Sequence, residues 1–488
     1  MIQYKIKTNK VITFLSATLL SACAVGPDYK LPATETPKAF THEVNPEFST
    51  KGVEVAWWKL FKDKELTVLV DQTVQHNYDL QTARANLKEA RALYMEAGLN
   101  MAPIVSSHAN YTDQQRSLGA MNNLTFAPRP LKLYNAGFDA AWEIDLFGRV
   151  RRNVEASSDE VEAQEASLRD LSVSLIAEVA RNYFELRGLQ NQLSVAKKNA
   201  KNQTQTLNIT NVRLENGRGT ELDTSRAIAQ LDSTKATIPL IQGGIYRAIH
   251  RLGILTGQLP GALIKKLEQS APLPIIVETI NIGNPADLLR RRSDIRMAER
   301  TLAAATARIG VATADLFPRV NFVGTLSMEA STLTGLGAAG SQAYAFGPKI
   351  SWAFLDLGRV YARIKAADAS TEASLAQYQQ TVLNALEETE NALVNYNQER
   401  ARQVLLASAA QASIKADELA HLRFNEGVSD FLTVLDTELR LLQDEERLAQ
   451  SETATATSLA ALYKALGGGW EVTVPIKHYS LLENMVNQ

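Results

Sequence analysis

The stretch "DLFGRV" (Asp145–Val150) returns, one letter shorter, as "DLGRV" (Asp356–Val360). Each copy stands where one hydrophobic rhythm gives way to another. Ahead of the first, apolar residues fall on even positions (Tyr134, Ala136, Phe138, Ala140, Trp142, Ile144, Leu146), with Asn135, Gly137, Asp139, Glu143 and Asp145 between them. Period two marks a strand with one apolar and one polar face. Behind the motif, Leu168, Leu171, Leu175, Val179, Tyr183, Leu186, Leu189 and Leu193 step by three or four, and no proline occurs from Arg149 to Glu215. That is a helix. Gly148 and Gly358 are read as strand-to-helix switches, where glycine allows backbone angles that side chains resist.

The motif is copied because the chain is duplicated. "YDLQTARANLKEARALYMEAGLNMAP" (Tyr78–Pro103) aligns with "SDIRMAERTLAAATARIGVATADLFP" (Ser293–Pro318), matching Asp79 to Asp294, Leu80 to Ile295, Ala83 to Ala298, Leu87 to Leu302 and Pro103 to Pro318 at an offset of 215. After the motif the offset is 210: Arg213, Gly217 and Leu222 meet Arg423, Gly427 and Leu432. Each half therefore reads helix, proline, strands, motif, long helix, glycine turn, long helix. In the second half Val320, Phe322, Leu326 and Met328 alternate with polar residues, as do Tyr344, Phe346, Ile350, Trp352 and Phe354. The segment after Pro103 is the least regular.

Two strands of about ten residues per half suit tilted membrane strands with an aromatic girdle. The alternation alone fits equally a soluble sheet with one buried face. A 67-residue helix at ~1.5 Å per residue would run about 100 Å, a length that implies coiled-coil packing. Four strands cannot close a membrane barrel, for which about eight are the minimum, and open edges are forbidden in lipid. In a membrane, several chains must share one barrel.

The N-terminus reads as a processing signal. Lys5, Lys7 and Lys10 precede a short apolar run, Val11–Leu20, too short to span a bilayer. It ends in "LSAC" (Leu20–Cys23), which resembles a bacterial lipobox, and Cys23 is the only cysteine of the chain. The reading is cleavage before Cys23 and acylation there. The plainer alternative is an ordinary signal peptide that happens to contain a cysteine. Ala24 after the cysteine, rather than Asp, implies sorting to the outer membrane.

Composition excludes other classes. Of 488 residues, 45% are hydrophobic and 21% charged, and the net charge of −2 gives no electrostatic case for nucleic acid. No apolar run reaches the length of a transmembrane helix. The six histidines show no metal-ligand spacing and no G-x-S-x-G occurs, so no enzyme is expected. "GLGAAG" (Gly335–Gly340) matches the dinucleotide pattern, but strand residues follow it where a helix is required. It is read as an extracellular loop.

The lipobox, the "CAVGPDYKLP" that begins at Cys23, the duplicated halves and the closing "LYKALGGGW" (Leu462–Trp470) together resemble the outer-membrane factors of tripartite efflux pumps, in the NodT/OprM-like branch related to TolC. The resemblance covers the chain from Cys23 to about Trp470. It implies a mixed α and β fold and a homotrimer: a shared twelve-stranded β-barrel, four strands per chain, continuous with a long periplasmic α-helical barrel. It implies a passive gated duct in the outer membrane, with no cofactor beyond covalent lipid on Cys23. Its partners would be a periplasmic adaptor protein, an inner-membrane RND-type transporter and outer-membrane lipid. The chain then divides into a signal peptide (1–22), a lipidated N-terminal segment (23–63), a first repeat (64–258), an inter-repeat equatorial segment (259–283), a second repeat (284–467) and a tail (468–488).

The resemblance also assigns sites. The turns "ENGRG" (Glu215–Gly219) and "NEGVS" (Asn425–Ser429), around Gly217 and Gly427, match those that meet the adaptor in relatives; unpartnered hairpin turns are the alternative. Arg423, Leu432 and Asp436 match positions that constrict the periplasmic entrance of OprM-like relatives. Leu432 and Asp436 are four apart and share a helix face. Threefold symmetry would gather three leucines into an apolar plug, while three aspartates would repel unless partnered. Asp436 corresponds to Arg226 in the first half, so unlike helices can pair. Solvated charges on an exposed tip are the bland reading. Two rival functions are a type I secretion conduit, a branch generally without the lipid anchor, and a structural periplasmic coiled-coil lipoprotein, which would not need alternating aromatic strands.

Overall fold

A computed structural model describes residues 24–41, 47–117, 119, 129–274 and 279–472. The signal peptide, Cys23 and most of the tail (473–488) lie outside the described residues. The first repeat contains α1 (Lys64–His76), α2 (Tyr78–Leu99), β1 (Ile104–Gln115), β2 (Pro130–Ile144), α3 (Arg149–Glu215) and α4 (Glu221–Leu255). The second contains α5 (Ser293–Ala314), β3 (Arg319–Ala330), β4 (Gln342–Ser351), α6 (Leu357–Asn425) and α7 (Phe431–Ala465). The first long helix thus falls where the proline-free, three-to-four-spaced stretch places it, and the second where the duplication repeats it.

The strands form one antiparallel sheet in the order β1-β2-β3-β4. Register sets Phe138 beside Leu326 and Leu326 beside Tyr344 on one face, all more than half exposed in the single chain. The other face carries the row Asp139, Thr325 and Ala345, with Thr325 donating to Asp139 at 2.8 Å. Both outer strands, β1 and β4, keep an unpaired edge within the chain. Among the described residues no helix is long and apolar enough to cross a membrane. The "GLGAAG" segment connects β3 to β4, and a strand follows it, as the sequence reading requires.

The duplication repeats a tryptophan lock that sequence reading missed. Trp142 Nε1 donates to the Met101 carbonyl at 2.8 Å, and Trp352 Nε1 donates to the Leu316 carbonyl at 3.0 Å. In each half the indole ties the end of the second strand to the chain leaving the preceding helix.

The core lies at the waist, midway along α3. Trp57 stacks on Tyr463 at 5.1 Å, Phe61 packs against Phe184 at 4.7 Å, and Leu66, Ile176, Leu186, Ile249 and Leu459 are fully buried around them. A two-residue parallel bridge joins Phe48–Ser49 to Ile280–Asn281, so the N-terminal and inter-repeat segments meet here.

The shared-glycine expectation needs correction at Gly358. Gly148 is left-handed (φ +81°) and immediately precedes α3. Gly358 lies inside the first turn of α6, is not among the left-handed glycines, and a Cβ there would meet nothing. At Gly148 a Cβ would fall 2.6 Å from Ala24 Cα. The N-terminal segment presses on the first switch alone, so only that one requires glycine.

Candidate functional site

Both helix tips are built by one device. At the end of α3 the Arg218 amide donates to the Arg213 carbonyl at 2.9 Å, and at the end of α6 the Val428 amide donates to the Arg423 carbonyl at 2.9 Å. These are Schellman closures, with Gly217 (φ +71°) and Gly427 (φ +74°) at the left-handed position. The return helices are capped at once: Thr220 and Asp223 form a capping box on α4, and Asp430 accepts from the Thr433 amide at 3.0 Å on α7. A Cβ on either glycine would meet nothing within 4 Å, so both turns present open backbone.

Behind the turns Phe424, Phe431, Val434 and Ala227 form a small core. Arg213 joins the two hairpins: its guanidinium lies 3.7 Å from the Phe424 ring centroid and donates to the Phe424 carbonyl at 2.7 Å. Leu432 (53% exposed) and Asp436 lie on the face of α7 opposite Val434, and Arg423 is exposed across the turn. Among the described residues no hydrogen bond or ion pair engages the side chains of Arg423, Asp436 or Arg226. The fold brings Leu432 and Asp436 onto one open face of α7.

At the sheet end of the molecule, the N-terminal segment crosses the first switch. The Val25 amide donates to the Phe147 carbonyl at 3.1 Å. Arg152, nearly buried, reaches the Val25 carbonyl at 3.2 Å and the Asp28 carboxylate at 2.6 Å. Gly26 packs against Gly310 of α5, and Tyr29 donates to Glu299 at 2.8 Å. The residue after Cys23 is thereby fixed at the base of the sheet.

Comparison with known proteins interprets this arrangement. The outer membrane efflux protein family matches residues 69–258 and 284–468. The chain belongs to this family. Nodulation protein T of Rhizobium leguminosarum bv. trifolii is 29% identical over 453 residues, 93% of this chain and 96% of that protein. The solvent efflux pump outer membrane protein SrpC of Pseudomonas putida is 29% identical over 474 residues, 95% and 99% of the two chains. The solved outer-membrane channel OprN superposes with a TM-score of 0.87 at 42% identity, covering 92% of this chain and 100% of that one. The protein is an outer-membrane channel of efflux pumps, a non-enzymatic transport protein that extends into the periplasm.

In this outer membrane efflux protein the tip of the second repeat hides a charged cluster that sequence reading missed. His421 Nε2 lies 3.1 Å from Glu438 and 3.7 Å from Asp417, and Thr206 of α3 donates to the same Glu438 oxygen at 2.5 Å. Both carboxylates are buried. The hydrogen bond to Glu438 raises the His421 pKa against the opposing effect of burial, and burial raises that of Asp417. The first repeat has Leu207, Asn211 and Ile228 at the matching positions. The signal was available in Asp417 and His421, four apart on one helix face, but Glu438 reaches them only across the hairpin.

Proposed function

We propose that three copies of this chain close one twelve-stranded barrel and form a continuous duct with their long helices. The observation that carries this is the four-stranded sheet with two open edges and an exposed aromatic face. Such a sheet is excluded from lipid as a single copy, and three copies give twelve strands, within the range of closed barrels. The duct works with pump partners. A periplasmic adaptor docks on the turns around Gly217 and Gly427, and an RND-type inner-membrane transporter supplies cargo. Arg423, Leu432 and Asp436 gather at the axis as the resting gate. Lipid on Cys23 holds the chain beside the barrel base, where Ala24 is pinned on Gly148.

The decisive experiment is extraction and reconstitution. Detergent-extracted protein should migrate as a heat-dissociable trimer and form discrete channels in planar bilayers. A monomer that stays soluble without detergent once delipidated would refute the shared barrel and favour a periplasmic scaffold.

A further inference from the structure

Matching cavities lie at the junction of sheet and helices in the two repeats, and the two have diverged in charge. The first, about 280 Å³, is lined by Asn100, Ile104, Glu143, Arg149 and Asn153 among others. Its only guanidinium is satisfied: Arg149 forms a two-pronged pair with Glu143, at 2.9 and 2.5 Å. The second, about 330 Å³, is lined by Asp315, Arg319, Ala353 and Arg363 among others. These stand at the equivalents of Asn100, Ile104, Glu143 and Asn153. Two neutral positions have thus become arginines, and the glutamate that paired the resident arginine has become alanine.

The consequence is visible in the contacts. Arg319 and Arg363 share the single carboxylate of Asp315, one on each oxygen, the second at 3.2 Å. Arg359, the counterpart of Arg149, is 85% exposed and among the described residues reaches only Asp356, at 3.4 Å. It stands four residues before Arg363, on the same helix face. Register places Ser351 opposite Arg319 and Lys349 opposite Asn321, on the polar face of the sheet. Lys349 replaces Asp139 of the first repeat. Of these charges, Arg319, Arg363 and Asp315 line the cavity, two cations to one anion, with Arg359 one helical turn before Arg363 and Lys349 two residues before Ser351 on β4, whereas the first cavity pairs its single arginine internally.

We propose that this second cavity is an anion-binding site on the wall of the duct, taking the phosphate or carboxylate group of a small soluble anion. Arg319 and Arg363 are 42% and 57% exposed, and their shared hold on Asp315 keeps their forks close enough to clamp one oxyanion. Trimerisation would set three such sites in a ring. The location on the duct wall rests on the duct reading above.

The test titrates inorganic phosphate into the detergent-solubilised full-length protein at low ionic strength, followed by ³¹P NMR. Parent protein should bind saturably. Ala353→Glu, which restores the first repeat's carboxylate and keeps every arginine, should weaken binding by about tenfold. Asp315→Asn with Arg319→Gln and Arg363→Gln should do the same without stranding a carboxylate. In planar bilayers phosphate should shift the parent's reversal potential toward cations and leave that of the variants unmoved. No phosphate binding by the parent, undiminished binding by trimeric variants, or binding of phosphatidylglycerol micelles in place of inorganic phosphate would overturn the site. A parent that binds phosphate but forms no channel would refute the duct and leave the site standing.

Discussion

Gly148 and Gly358 occupy equivalent places in the two repeats, yet alanine at each should act in opposite directions. At Gly148 the backbone is left-handed, which costs an L-residue roughly 1–2 kcal/mol. The added Cβ would also sit 2.6 Å from Ala24 Cα and 2.7 Å from Ala24 Cβ. The N-terminal segment must retreat, breaking the bond from the Val25 amide to the Phe147 carbonyl, worth about 0.5–1.5 kcal/mol net. Together these give a loss of about 1.5–3.5 kcal/mol. Gly358 is helical with empty space around it, so alanine there should stabilise by up to about 0.5–1 kcal/mol through lower unfolded-state entropy. Thermal unfolding of the two detergent-purified variants, run beside the parent, reads the sign. Hydrogen exchange at Val25 reads the mechanism: it should accelerate in Gly148→Ala and stay unchanged in Gly358→Ala. Equal responses of the two variants, or greater damage at Gly358, would refute the argument that the N-terminal segment is what demands glycine.

The remaining predictions concern the periplasmic end and the anchor. Leu432→Ala with Asp436→Ala should raise single-channel conductance and admit large antibiotics into cells lacking the other pump components; a trimeric double variant conducting like the parent removes these residues from the gate. Valine at Gly217 or Gly427 should cut adaptor crosslinking while trimers persist, because strain of about 1–2 kcal/mol falls on an open turn and not on the core. His421 and Asp417 both hold protons more tightly when folded, so the tip of the second repeat should weaken as pH rises, above about 4 for Asp417 and above about 6.5 for His421. Hydrogen exchange around residues 417–438, corrected for intrinsic rates, should show that trend, and His421→Gln should flatten its upper part. Mass spectrometry of the mature N-terminal peptide should find a triacylated Cys23; a mature chain starting elsewhere with a free thiol would contradict the lipobox reading.

Local periodicity made most of the fold readable. The three-to-four spacing without proline marked Arg149–Glu215 as one helix, and the even-numbered apolar residues before it marked β2. Glycines at matching offsets located both tips. What stayed hidden depends on segments far apart in the chain. Gly148 and Gly358 look alike until Ala24 is seen lying on only one of them. Arg213 shows no role in the sequence until the hairpins bring Phe424 beneath it. The tryptophan locks were closer to legible, since Trp142 and Trp352 align at the same offset of 210, but their carbonyl partners carry no side-chain signal. Single-chain geometry leaves Leu432 and Asp436 simply exposed, and the proposed gate draws on further copies of the chain, which one sequence does not display.

The open edges of the four-stranded sheet also have a genetic consequence. On the proposed sharing of one barrel by three chains, a cell expressing equal amounts of parent and a gate-defective allele that still assembles would build only about one wild-type pore in eight. A leaky allele would therefore be dominant, sensitising the cell even beside an intact gene copy, whereas an allele that fails to pair its edges would drop out of assembly and be recessive.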